Sequence, residues 1–541
     1  MKIFKEYIQN QTSLFPPTTD ELISPTHPVR MINTIVDSLE IKGILRKYKG
    51  GGNTSYHPRM LLKVLFYSYM NNVYSSRKIE QLLHENIYYI YLSGKQTPDH
   101  NTINRFRGKR LAGELKKVFV QITERLSEHG LLSLREVYVD GTKIEANANR
   151  YSFIWGNTIR YNKERMARQL EELWSYSLRV AKEESEDRTK KELRHLSPEE
   201  VKSMIEEINT NILKSEEEAE EESASEEAES EKTEKEKTEK KKIKQKLKYC
   251  SKNWPKNLQK YEEQEEQLAG RKSMSRIDTD ATFMRMKEDH MNKGELKAGY
   301  NVQLAVNEQI IVEYGIYPNP TDTRTLPKFV EQIKEDYQRT PSQIIADAGY
   351  GSEENYEYLK RESIQGIIKY NTYEKEQKKV RREKKPFIAE KLHYNKEKNY
   401  YVCPMGQKML SIGKTEEKNE SGYIQQKEKY RAENCSGCSL RSACYKGRGN
   451  RVIEVNHNLQ RLKEEVREVL QSEEGKRLYA KRKIEVEPVF GNIKQNKGFR
   501  RFMLRGKEKV NTEFGLIAIA HNLSKAIKFF TERNMVLEFK F

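Results

Sequence analysis

Apolar positions recur at helical spacing near the start of the chain. Pro58 stands at a first-turn position ahead of Leu61, Leu62, Leu65, Tyr69 and Met70, and Ser75-Ser76 can cap a following helix carrying Ile79, Leu82 and Leu83. "TPDHNTINRFRGKR" opens another helix, with Asp99 or Asn101 as its cap, and its Arg105, Arg107, Lys109 and Arg110 could meet phosphates. The pattern predicts an all-helical region over residues 1–130, with a candidate helix-turn-helix pair at 75–112. A helical bundle with a solvated basic face fits the same composition.

The period changes after residue 131. "REVYVD", "AGYNVQLAVN" (298–307), "QIIVEYGIY" (309–317), "SQIIADAGYG" (342–351) and "IQGIIKYN" (364–371) are apolar runs rich in Val, Ile and Tyr, as buried strands are. Helices are expected over 323–336 and from Ser352, and later at roughly 474–497 and 507–530. Strand, long insertion, strand, strand, helix, strand, helix, strand is the order of a mixed α/β sheet flanked by helices. Its pieces are residues 131–160, 271–375 and 471–541.

Two insertions interrupt it. Within 161–270, Ser197 and Glu200 form a capping box, and Val201, Met204, Ile205, Ile208 and Ile212 make one apolar stripe. An acidic block and then a basic one follow, with almost nothing to bury, so this insertion reads as a charged helical hairpin whose tip, around 215–245, stays unstructured. The second insertion, 376–470, holds four of the five cysteines.

Val137-Tyr138-Val139 runs into Asp140-Gly141, and Ile344-Ile345-Ala346 runs into Asp347-Ala348-Gly349. An ionised carboxylate where a buried strand ends suits a cation at the rim of the sheet better than a closed core. A third acid, Glu487, precedes Lys494 by two helical turns, with Lys497, Arg500, Arg501 and Arg505 beyond it and Phe499 and Phe502 between them. Three carboxylates on separate elements can hold two divalent cations, which activate a water or 3′-hydroxyl and stabilise the leaving oxygen of a phosphodiester. Glu485 is the competing third acid. Asp278, Asp280 and Asp322 read as turn or supporting residues, Asp322 as the cap of the next helix, and His521 as a satisfied core residue. "SIGKT" at 411–415 lacks the glycine a phosphate-binding loop needs, since position 408 is Lys408, so no nucleotide cofactor is expected.

A formal net charge of +18 over 541 residues points to a polyanionic partner, nucleic acid first. No apolar run of membrane-spanning length and no signal pattern appear, so a cytosolic protein is expected. Cys403, Cys435, Cys438 and Cys444 follow the pattern C-x31-C-x2-C-x5-C, which can supply four thiolates to one structural zinc; free thiols are the alternative. Cys250 stands apart.

"YVDGTKIEANANR", "IIADAGYGSEENYEYL" and "VEPVFGNIKQNKGFRRFMLRG" resemble, in order and spacing, the three catalytic blocks of DDE transposases from bacterial insertion sequences. "PDHNTINRFR" is similar to the end of their N-terminal helical region, and the likeness covers nearly the whole chain apart from the charged tip. It implies an RNase H-like core and Mg²⁺, or Mn²⁺ in its place, held by Asp140, Asp347 and Glu487. Tyr479, Arg482, Glu487 and Lys494 approximate the family's signature around the third acid, with an Arg-to-Glu interval one residue longer than usual, which leaves Lys483 as the alternative to Arg482. The implied activity is binding to the element's terminal inverted repeats, cleavage, and joining of 3′-hydroxyl ends to target DNA. A homodimer on double-stranded DNA, in the bacterial cytoplasm at the nucleoid, is expected to carry it out. A catalytically inactive DNA-binding relative and an RNase H-like repair or recombination nuclease are the rival readings.

Overall fold

The computed structural model describes residues 17–48, 54–181, 197–222, 232–286, 295–377, 387–419 and 421–533. Two compact units divide the chain, residues 1–146, 286–293 and 299–541 in the first and 147–285 with 294–298 in the second.

The first unit begins as helices. Pro58–Met70 starts on its proline, and His100–Arg105 is capped by Asp99, whose carboxylate accepts the Thr102 amide at 2.8 Å. Ser75 occupies the cap position of Ser76–Glu85 but makes no side-chain bond there. The stretch expected to form a helix pair holds three short helices, Ser76–Glu85, Ile87–Ser93 and His100–Arg105, and closes in a π-helical turn at Phe106–Arg110. The asparagine at 86 ends one helix and caps the next, which splits the apolar run.

The central sheet of this unit contains β1 (Glu136–Glu145), β2 (Leu296–Asn307), β3 (Ile310–Tyr317), β4 (Gln343–Ala346) and β5 (Gln365–Ile368). Their spatial order is β3-β2-β1-β4-β5, antiparallel from β3 to β1 and parallel from β1 to β5. The β2–β3 turn is two residues, Glu308 and Gln309, both at positive φ, the backbone that a tight hairpin requires. Leu115–Glu128 (α1) precedes the sheet, Leu326–Tyr337 (α2) and Glu353–Arg361 (α3) connect its later strands, and Glu473–Gly491 (α4) packs across β1, β4 and β5. Lys507–Glu532 (α5) lies against β3, α1 and Pro58–Met70, buried along most of its length. Among its residues, the Asn522 amide both accepts from and donates to the Ile311 backbone, at 2.9 and 2.8 Å. α4 runs unbroken through Pro488.

The cysteine-rich segment forms its own five-stranded antiparallel sheet, in the order 452–455, 424–432, 408–418, 400–402, 393–395. Its strands are rich in charged and polar residues. Tyr401, Met409, Tyr430, Ala432, Ile453 and Val455 nevertheless pack into a core, because alternate residues of these polar strands turn inward.

Among its described residues the second unit is mainly three helices, Gly156–Ala181, Pro198–Glu222 and Lys232–Leu268, where a pair was expected. Ser197 and Glu200 exchange the bonds of a capping box, and the Val201–Ile212 stripe packs with Leu170, Trp174, Leu247, Cys250 and Trp254. Of the charged tip expected to stay unstructured, 215–222 and 232–245 are helical, and residues 223–231 lie outside the described residues.

Candidate active site

Strand pairing brings the first two acids together. Val139 of β1 stands beside Ala346 of the parallel β4, so the next residues, Asp140 and Asp347, leave that pairing at the same level. Only β4 ends there. β1 continues to Glu145, held on its other side by β2, so Asp140 sits in mid-strand where its neighbour stops, a correction to the expectation that both strands end on their aspartates.

Gly141 explains why the strand can continue. A Cβ built on it would overlap Gln303 Nε2 and Asp322 Oδ1, so the glycine serves close approach, not flexibility. Asp322 itself does not cap α2. Its Oδ1 accepts the side-chain amides of Asn301 and Gln303, each at 2.8 Å, and the Thr323 hydroxyl beside it donates to the Gly349 carbonyl at 2.7 Å. These bonds tie β2, the turn at 322–323 and the loop after Asp347 into one frame. Tyr350, fully buried behind it, donates its hydroxyl to Gln303 Oε1. Burial first, and then the carboxylates of Asp322, Asp140 and Asp347, hold that hydroxyl's pKa well above its ordinary value.

Each aspartate is anchored. Asp347 accepts the Gly349 amide at 2.8 Å, and Asp140 accepts the Gly141 amide at 2.7 Å through Oδ1. Asp140 Oδ2 meets Arg482 at 3.2 Å, both side chains largely buried. Arg482 of the approximate signature therefore reaches the site through an acid of the sheet.

Glu487 is exposed on α4, and no hydrogen bond or ion pair ties it to either aspartate. Among the described residues no group of three or more His, Cys, Asp or Glu side chains is close enough to hold a metal ion. The helix still separates the two rival glutamates. At about 100° per residue, Glu487 lies about 140° from Arg482 in the direction of Tyr479, and Glu485 about 60° in the opposite direction. The Tyr479 flank faces the site, since its ring lies 4.0 Å from Lys369 Nζ, just past β5, and its hydroxyl feels the Asp347 charge. The Glu485 flank faces the hairpin turn. Glu485 is buried there, accepting the Gln309 amide at 2.8 Å and pairing with Lys481 at 3.1 Å. Lys483 lies one turn before Glu487 on the same flank, and Lys494 two turns after it.

The expected DNA-contact residues divide. Arg105, Arg500, Arg501 and Arg505 are exposed, with Arg501 3.6 Å from Glu145. Arg107 is buried and donates to the Tyr69 hydroxyl, the Tyr74 carbonyl and Asn104. Lys497 is buried too, pointing at the Tyr69 and Met70 carbonyls that end helix Pro58–Met70, and burial pushes its pKa down to about 8. Lys494 is also buried. Phe499 and Phe502 pack against Tyr74 and Tyr300, so the aromatic residues between these cations belong to the core. A run of basic residues was legible in sequence; which of them faces inward was set by the turn geometry around 492–499.

The four cysteines line one cavity of about 30 Å³ together with Met405 and Arg451. Cys403 starts a tight turn closed by its amide on the Gln407 carbonyl at 2.8 Å, with Gly406 at positive φ, and Gly437 supplies the same backbone between Cys435 and Cys438. Arg451 donates its backbone amide to Cys435 Sγ at 3.3 Å and its guanidinium to Cys444 Sγ at 2.8 Å.

Residues 402–527 match the family model of a transposase DDE domain. Together with the match below, this supports a DDE transposase of insertion-sequence type. Residues 17–109 match a second model, a transposase domain (DUF772), which spans the N-terminal helices up to the π-helical turn. The DDE match takes in the four cysteines, Glu487 and His521, whereas Asp140 and Asp347 lie outside both matched segments of the transposase. No curated protein and no solved structure matches the chain. No helix among the described residues is long and apolar enough to cross a membrane.

Proposed function

We propose that this transposase binds the terminal inverted repeats of its own element, cleaves the DNA there, and joins the 3′-hydroxyl ends to target DNA. The observation that carries the reading is the β1–β4 register, which puts Asp140 beside Asp347 at the edge of a buried sheet in a chain that matches a DDE domain. The strand order β3-β2-β1-β4-β5, with β2 antiparallel to its neighbours, supports an RNase H-like core. Exposed Arg105, Arg500, Arg501 and Arg505 are the cations proposed to hold the DNA backbone.

The donor set fits a hard divalent cation, since oxygen is the only ligand atom that Asp140, Asp347 and Glu487 offer. Mg²⁺ or Mn²⁺ there would polarise the phosphodiester and lower the pKa of the attacking hydroxyl. The chain's own contribution is position. Asp322, Gln303 and Asn301 fix the loop after Asp347, Gly141 keeps β1 in register past Asp140, and Arg482 balances the Asp140 charge. Glu487, on the flank of α4 that faces Asp347, completes the acid set. The four cysteines that line one small cavity, two of them accepting N–H···S bonds from Arg451, are the ligands proposed for a structural zinc, since such bonds spread the charge that thiolates would bring.

Purified protein incubated with a labelled element end and Mg²⁺ or Mn²⁺ tests the function, the end sequence coming from inverted repeats that flank the gene. Nicking and joining of that end are expected. Nicking of any duplex without joining would make the protein a repair or recombination nuclease, and specific binding without nicking would make it an inactive relative.

A further inference from the structure

In the second unit, Phe153–Trp155 pairs antiparallel with Ser273–Ser275 in a small two-stranded sheet. One face is closed, because Ile154 and Met274 pack with Ile159 and Leu268. Alternation puts Phe153 and Trp155 on the other face. The strand Thr282–Arg285 adds Phe283 to it while burying Thr282 and Met284, and Arg285 shares the outward side of that strand. Ring centroids of Phe153 and Phe283 lie 4.4 Å apart and those of Trp155 and Phe283 4.7 Å apart, both edge-to-face. Trp155 is 41 % exposed, whereas Trp174 and Trp254 are each 4 % exposed. Exposed Tyr151 precedes the sheet, and exposed Arg276 is set beside it by a 3.0 Å bond from its amide to the Ser152 carbonyl.

We propose that this face is a stacking platform for unpaired bases of the DNA on which the transposase acts, a proposal that rests on the function above. Three linked rings offer π-surface to any base, and the arginines at their margin offer charge to the phosphates of the same strand. An apolar protein partner would use the rings but not the charge of exposed Arg276. Cleaving a duplex near its end frees nucleotides whose bases have lost their stacking neighbours, and these are the ligand that such a surface fits.

Tryptophan emission of the full chain reports the contact, because the other two tryptophans are buried. Oligo-dT is expected to quench it. Trp155→Ala should weaken oligo-dT binding about 5- to 150-fold, the range that one stacked base is worth, with little change in affinity for a blunt duplex. Phe283→Ala should act in the same direction, and Tyr249→Ala, an exposed aromatic on a helix of the same unit, should do nothing. Trp155→Phe keeps the ring and should keep the affinity while losing the quench, which separates stacking from misfolding. Oligo-dT binding without a quench, or unchanged in Trp155→Ala, would overturn the platform. Duplex binding with no oligo-dT binding removes the platform alone, whereas absence of all DNA binding removes the transposase reading and the platform with it.

Discussion

Val137, Tyr138 and Val139 behind Asp140, and Ile344, Ile345 and Ala346 behind Asp347, are all fully buried in a sheet covered by α4 and other helices. The cysteine-rich sheet rests on six buried residues, and its long 408–418 strand is exposed over most of its length. Both places are proposed to hold a metal, yet their foundations differ in depth. The acids are held by amides, Arg482 and a deep core, so their geometry does not wait for a cation. The thiols sit on two glycine turns over a thin core, where cross-linking by a metal would supply order that burial does not. A metal at the first site should therefore matter to chemistry and one at the second to folding.

The strongest way to break this contrast is to neutralise the acids. Asp140→Asn, Asp347→Asn and Glu487→Gln should each lower Mg²⁺-dependent nicking by about 10³-fold or more, since a cation's contribution at the transition state is worth several kcal/mol. Melting temperature should hold, and DNA binding by gel shift should hold or strengthen as negative charge leaves the phosphate path. Glu485→Gln should do the reverse, losing stability at the hairpin turn while nicking persists in the folded fraction. A Glu487→Gln protein that nicks normally would remove that residue from the site.

Cys438→Ser addresses the other half. Wild-type protein purified without chelator should carry zinc by elemental analysis, and the variant should lose it, with new protease cleavage confined to about residues 387–456 because loss of one ligand opens a closed site. Zinc absent from the wild type, or a variant that resists protease equally, would make the cysteine cavity a metal-free packing feature.

The sequence carried the two aspartates because continuous apolar runs ending in Asp are hard to explain in a closed core. It also carried the five strands, whose boundaries moved by up to five residues. What it could not carry was register and facing. That Asp140 lies mid-strand depends on the length of β2, more than 150 residues away in the chain. Asp322 looked like a helix cap because Asp before a helix is one more often than not, and only the folded sheet brings Asn301 and Gln303 to its Oδ1. Arg107 and Lys497 belong to basic runs whose π-helical turns shift the helical phase, which sends these two side chains inward. The cysteine sheet's core was hidden because inward residues such as Tyr430 stand between charged ones, here Lys429 and Arg431.

Acid should loosen the foundation of the first site in a predictable direction. His521 on α5 is fully buried, bonded at 2.8 Å to the Gln309 carbonyl through Nε2 and to the Asn492 amide through Nδ1, and burial lowers its pKa from 6.5 to about 4. Nε2 donates and Nδ1 accepts, so the neutral ring is the form the fold holds. The unfolded chain then binds more protons than the folded chain between the two values. Stability should be unaffected above pH 6.5, fall as pH drops toward 4, and lose about 3 kcal/mol in all from this group. Thermal melts from pH 7 to 4 should show that decline in the wild type and a shallower one in His521→Gln. Equal slopes would assign the acid sensitivity to other groups.

The smallest expected effect asks whether the first site is truly built on close approach. Gly141→Ala adds one methyl in mid-strand, where loss of glycine's backbone freedom alone would stabilise by about 0.5–1 kcal/mol. That methyl would instead overlap Gln303 Nε2 and Asp322 Oδ1, both held in the hydrogen-bonded frame and neither the free end of a mobile chain. Overpacking of this kind costs about 1–3 kcal/mol, so the net change should be destabilising. Gly491→Ala at the end of α4 is the matched control, since a Cβ there meets nothing and should stabilise the helix. Differential scanning calorimetry on the two variants reads both signs directly. If Gly141→Ala also slows nicking more than its lowered stability accounts for, the frame around Asp322 sets the position of Asp140; if it melts at or above the wild type, the frame yields to a methyl and does not hold the acids in place.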